Sequence, residues 1–115
     1  MVAHLVLFAP RSDLSERERT TFIEALERAL VNIPLIKRAR VGRRFRIGRQ
    51  YDEQNPLDFP FAAILEFETE ADLRTYLDHP AHDALGAQFY IAANAALVFD
   101  FSLVDAARAR EFLLS

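Results

Sequence analysis

The 115-residue chain contains no cysteine and no tryptophan, one methionine and three glycines. Without cysteine there is no disulfide and no thiolate zinc site. No apolar run approaches the roughly 18 residues that suggest a membrane span. The opening MVAHLVLFAP has an apolar patch but no basic segment ahead of it, which is not the layout of a signal peptide. These features point to a cytoplasmic protein with no membrane partner. Low-complexity stretches and interdomain linkers are also missing. The net charge of −3 gives weak repulsion from nucleic acid and anionic surfaces.

Apolar residues make up 51% of the chain and charged residues 27%, the balance of one globular domain. Val2 to Phe8 reads as a first strand, apolar on both faces except at His4. Ser15 and Glu18 have capping-box spacing. The helix they open carries Phe22, Ile23, Leu26 and Leu30 as an apolar stripe to about Val31, and Pro34 follows its end. A second strand is expected over Ile36 to Gly48, and a long loop over Arg49 to Pro60. Phe61 to Glu68 reads as the third strand. Thr69 then caps a short helix ending near Asp78, and His79 precedes Pro80 in extended backbone. Pro80 suits the first turn of another helix, expected to reach about Ala95. Ala96 to Val104 closes the pattern as a fourth strand.

The order β-α-β-β-α-β, with its second helix broken in two, implies an α+β ferredoxin-like fold with a four-stranded antiparallel sheet. Residues 1–104 form the domain, and 105–115 a C-terminal extension read as a short helix. Helices on one face would leave Leu5, Leu7, Ile64 and Val98 on an open face. An apolar patch of that kind needs covering, so a homodimer closed into a barrel is expected.

The stretch YLDHPAH, Tyr76 to His82, holds two of the three histidines. His82, Leu85, Gly86 and Phe89 share one helical face. Tyr76 lies on the inward stripe of the preceding helix, and His4, Val6 and Phe8 share a face of the first strand. Three polar groups would then meet between sheet and helices in otherwise apolar surroundings, the usual make-up of a pocket for a small apolar or aromatic ligand. A neutral imidazole there suits a general base near pH 7, and a tyrosine hydroxyl suits donation to a developing enolate oxygen. The competing reading makes His82 a hydrogen-bonded core residue that locks the helix joint. His79 reads as a joint residue in either case.

VAHLVLF, IKRARVG, ILEFETEADLRTYLDHPAH and VFDF together resemble the stress-responsive A/B barrel family, or Dabb, over roughly residues 2 to 102. That resemblance implies a dimeric α+β barrel. Within the family the chain is similar to a plant polyketide cyclase that performs an intramolecular aldol condensation without metal or cofactor. The similarity implies Tyr76 and His82 as catalytic residues and His4 as a pocket group. Phe22, Ile23, Leu26, Ala39 and Ala63 join Val6, Phe8, Leu85, Gly86 and Phe89 as expected pocket residues. Leu26 stands where that cyclase has a tyrosine, and Ala93 where it has a tryptophan. The alternative is a non-catalytic, stress-associated or ligand-binding barrel.

No HExxH-like spacing supports a metal site, and no cofactor is expected. Lys37, Arg38, Arg40, Arg43, Arg44, Arg46 and Arg49 hold half of the 14 basic residues. The third strand, however, lacks the aromatic signature of RNA-recognition domains. An interfacial role is expected instead: Glu66 and Asp100 read as facing the barrel interior, with Asp100 of one subunit approaching Arg38, Arg40 or Arg44 of the other.

Overall fold

The structure is a computed structural model and describes residues 1–114. β1 (Val2–Pro10) leads to α1 (Glu16–Leu30), β2 (Ile36–Arg43), α2 (Gln50–Gln54) and β3 (Phe61–Phe67). α3 (Glu70–Leu77), α4 (Pro80–Ala92) and β4 (Ala93–Ser102) follow. The extension holds a 3-10 turn, Ala106–Arg108, and α5, Arg110–Leu113; Ser115 lies outside the described residues. The sheet is four-stranded in the order β2-β3-β1-β4, and every ladder is antiparallel. This is the ferredoxin-like βαββαβ fold.

Local chemistry sets the helix starts. Ser15 Oγ accepts from the Glu18 N–H at 3.1 Å, and Glu18 Oε1 accepts from the Ser15 N–H at 2.9 Å. Thr69 Oγ1 accepts from the Asp72 N–H. His79 is extended and caps α4, its Nδ1 accepting from the Ala81 N–H at 3.0 Å. The joint is built as its sequence implies, with proline in the first turn.

Three boundaries differ from expectation. β4 begins at Ala93 because β1 runs on to Pro10 and offers Ala9 and Pro10 as ladder partners. Strand pairing there overrides the helix propensity of an alanine-rich segment. β2 stops at Arg43, opposite Phe61, the first residue of β3. One further bond, Arg44 N–H to the Pro60 carbonyl, closes that ladder, since proline has no N–H to return. The expected long loop contains α2. The Asp52 carboxylate is buried there and accepts from the backbone N–H groups of Ile47, Gly48 and Arg49 at 3.0, 3.0 and 3.3 Å. Gly48 supplies the turn with φ +84°, a conformation favourable to glycine. Desolvation raises the Asp52 carboxyl pKa, but those three donors and Arg46 outweigh it, so the group sits below its ordinary value.

The register fixes which side chains share a face. His4 pairs with Leu65 and Asp100, and Val6 pairs with Ala63 and Val98. Val98 and Asp100 therefore lie on the helix face, not on the open face or in a barrel interior. Leu5 pairs with Ile64 and Phe99, so the open face carries Leu5, Leu7, Ile64, Leu97, Phe99 and Phe101. Glu66, opposite Ala3, does face that side and lies 3.8 Å from Arg38. Under the helices, Phe8, Phe22 and Phe89 form a cluster with ring centroids 5.1–5.9 Å apart. Beyond it lie buried Leu65, Phe67 and Tyr76.

Candidate functional site

A cavity of about 330 Å³ lies between the helix face of the sheet and α1, α3 and α4. That is within the range of small-molecule sites. His4 enters from β1, Tyr76 from the last turn of α3, and His82 from the first turn of α4. The rings form a triangle with centroid separations of 6.4 Å for His4–Tyr76, 6.5 Å for His4–His82 and 5.1 Å for Tyr76–His82. Leu26, Leu30, Leu65, Leu77, Leu85 and Phe89 supply most of the apolar wall.

Each polar group is held differently. His4 is buried, and its Nδ1 meets Asp100 Oδ1 at 2.6 Å. A carboxylate accepts only, so Nδ1 carries the proton in this contact, and in the neutral ring the lone pair is on Nε2. Tyr76 is 1% exposed, and its hydroxyl makes no hydrogen bond to another described residue. Burial pushes its pKa up to about 12, so it remains a proton donor at neutral pH. His82 is half-buried. Desolvation and the neighbouring His4 lower its pKa, while the Leu77 carbonyl and Asp83 oppose them. It is held neutral, and it is not bonded to Tyr76.

Nine of the expected site residues line this cavity: His4, Val6, Leu26, Ala63, Tyr76, His82, Leu85, Gly86 and Phe89. Four do not. Phe8 stands four residues from His4, about 13 Å along a strand, and its ring packs on Phe22, Phe61 and Phe89. Phe8, Phe22 and Ile23 line a second hollow of about 420 Å³. Ala39 lies in a shallow hollow at the α1–β2 connection. Residues missed from sequence include Ala96, Val98 and Asp100, which form the cavity floor along β4. Alternation along β4 was their only signal, and it is silent until pairing with β1 assigns the faces. Gly86, Ala96, Val98 and Asp100 are exposed while the other lining residues are buried or half-buried. The mouth therefore opens between α4 and β4, and no residue of 49–60 lines it.

Asp100 is engaged with His4 of its own chain. Of the arginines expected near it, Arg44 instead donates to the Leu57 carbonyl and to Asp58. Among the described residues, no group of three or more His, Asp or Glu side chains could hold a metal ion, and no helix is long and apolar enough to cross a membrane.

The comparisons agree with this architecture. Residues 2–103 match the stress responsive A/B barrel domain, Dabb. No curated protein matches the chain. Among solved structures, a dimeric ferredoxin-like protein of unknown function from Thermobifida fusca is 24% identical with a TM-score of 0.66, covering 89% of this chain and 90% of that one. A Dabb family protein with a ferredoxin-like fold from Mesorhizobium loti is 20% identical with a TM-score of 0.68, covering 90% and 96%. A hydroxynitrile lyase from Passiflora edulis is 19% identical with a TM-score of 0.72, covering 91% and 94%. At such identities these structures speak for the fold alone. The family match spans nearly the whole chain, and the protein belongs to the stress responsive A/B barrel domain family.

Proposed function

We propose that this protein is a cytoplasmic, homodimeric, cofactor-free enzyme that removes a proton from carbon next to a carbonyl, in a small, largely apolar substrate. A polyketide-like chain undergoing aldol closure, as in olivetolic acid cyclase, is the substrate class the resemblance suggests. The observation that carries the proposal is the His4–Asp100 pair at 2.6 Å beside an unbonded tyrosine hydroxyl in an apolar cavity.

The geometry supports a division of labour. His4 presents a free Nε2 toward the cavity, and the Asp100 carboxylate stabilises the imidazolium formed when it takes a proton. His82 lacks that support, since burial and His4 both disfavour its charged form. We therefore place the proton on His4 and give neutral His82 a hydrogen-bonding role toward substrate. Tyr76 donates to the enolate oxygen where charge develops. The Leu77 carbonyl beside His82, which favours its protonated ring, also supports the second reading, in which His82 serves the helix joint and the cavity only binds.

Exchange of the methyl protons of acetophenone in D2O, followed by NMR, tests the chemistry with no knowledge of the natural substrate. Wild type should accelerate exchange; His4→Ala should lose about 10²–10⁴-fold of that acceleration and Tyr76→Phe about 10²–10³-fold. No acceleration by the folded wild type would leave the binding reading in place.

A further inference from the structure

Each backbone donor from Ala81 to Asp83, at the start of α4, ends on one residue. Pro80 has no N–H to place. The His82 and Asp83 N–H groups donate to the His79 carbonyl at 2.9 and 3.1 Å. The Ala81 N–H donates to His79 Nδ1 at 3.0 Å. On the other side, the His79 N–H donates to the Tyr76 carbonyl at 2.9 Å. His79 is therefore bonded to both residues whose rings meet in the cavity, although its own ring does not line that cavity.

The bond to the ring carries a condition. Nδ1 accepts only while it is unprotonated, which puts the proton of the neutral ring on Nε2. A protonated imidazole has two N–H donors and no acceptor. Its Nδ1–H would face the Ala81 N–H, donor against donor, and its charge would sit at the positive end of the α4 dipole. Asp78 and Asp83 flank His79 closely in sequence, but neither forms an ion pair with it among the described residues. The charged groups on the elements packed against the joint pair with each other: Glu70 with Arg74 on α3, Lys37 with Glu68 and Arg38 with Glu66 across β2 and β3, and His4 with Asp100 across β1 and β4. Asp72 lies in the first turn of α3, at its other end. α1 meets α4 farther along, where Arg17 and Glu18 lie beside Gln88 and Ile91.

We propose that His79 is a positioning residue: its neutral ring holds the first turn of α4, and with it the His82 ring against Tyr76, and protonation of His79 releases that turn. The Tyr76 and His82 rings lie 5.1 Å apart on either side of the helix break, so a change of backbone at His79 moves one ring against the other. The His79 ring is half-buried, which leaves it open to protons from solvent. It acts through the backbone and touches no ligand. The inference goes beyond the proposed function, because it holds whether the cavity catalyses or only binds.

Amide hydrogen exchange read by NMR tests the cap at the atom it holds. As acid titrates the His79 ring, followed in the same samples, protection of the Ala81 N–H should fall about fivefold, the worth of a typical N-cap. His79→Asn supplies a carbonyl oxygen that caps well and does not titrate, so its Ala81 protection should stay level over the same range. His82 titrates in both proteins, so a difference between them belongs to position 79. Equal falls in the two proteins, or level protection in wild type while the His79 ring protonates, overturn the inference. A second reading follows the ring of His82, which titrates below its ordinary value. His79→Ala should bring that titration up toward about 6.5 as the turn opens to water, and His79→Asn should restore it. A cap that only stabilises the helix would lower the melting temperature of His79→Ala and leave the His82 titration as in wild type; that result overturns the positioning role. The exchange comparison needs no His79→Ala protein, so if that variant does not fold, wild type and His79→Asn decide the matter.

Discussion

The two faces of this sheet are made from the same strands, one residue apart, and meet opposite fates. Leu65 is 1% exposed beneath the helices, whereas its neighbour Ile64 is 37% exposed on the open face. The covered face holds the aromatic cluster and the polar triangle. The open face holds Leu5, Leu7, Ile64, Phe99 and Phe101 with the Arg38–Glu66 pair. The difference teaches that apolar content does not say where burial comes from. One face is buried by the chain itself, and the other is left uncovered by it.

The largest expected effect separates the faces directly. Leu65→Ala should cost about 2–5 kcal/mol in urea unfolding, because it leaves a cavity in a closed layer. Ile64→Ala, measured dilute enough to be monomeric, should stay within about 1 kcal/mol of wild type; equal losses at the two positions would erase the distinction. A smaller effect concerns association. Phe99→Asp should weaken the dimer at least tenfold, about 1.4 kcal/mol, with the circular dichroism of the protomer unchanged. Retention of a tight dimer by sedimentation would mean that the open face is not the interface.

The smallest effect sharpens the covered face. His82 has a lowered pKa in the folded state, so the unfolded chain binds that proton more readily. Its contribution is therefore neutral above the unfolded value of about 6.5, and stability falls as pH drops below it. His82→Gln should flatten the part of the melting-temperature profile just below pH 6.5. An unchanged slope would place the pH sensitivity elsewhere.

Much of this was legible beforehand. The Ser15–Glu18 box and the His79–Pro80 joint depend on atoms within a few residues, so sequence spacing reports them directly. Tyr76 and His82 lie within one turn of that joint, and their convergence follows from it. Val98 and Asp100 were assigned to the wrong face because alternation gives two sets and pairing alone says which set looks inward. Asp52 was unremarkable within its loop, because its partners are backbone amides and no residue type announces them.

By itself, then, the sequence determined where α1, α3 and α4 start, which residues alternate, and that one tyrosine and one histidine meet at a helix joint. These are consequences of short-range stereochemistry and hydrogen-bond spacing. Only the tertiary structure decided that Asp100 belongs to His4, that the cavity opens along β4, and that Phe8 and Phe22 serve the core. Those outcomes depend on strand register between β1 and β4, residues some 96 positions apart, and on how far along each strand the helices reach.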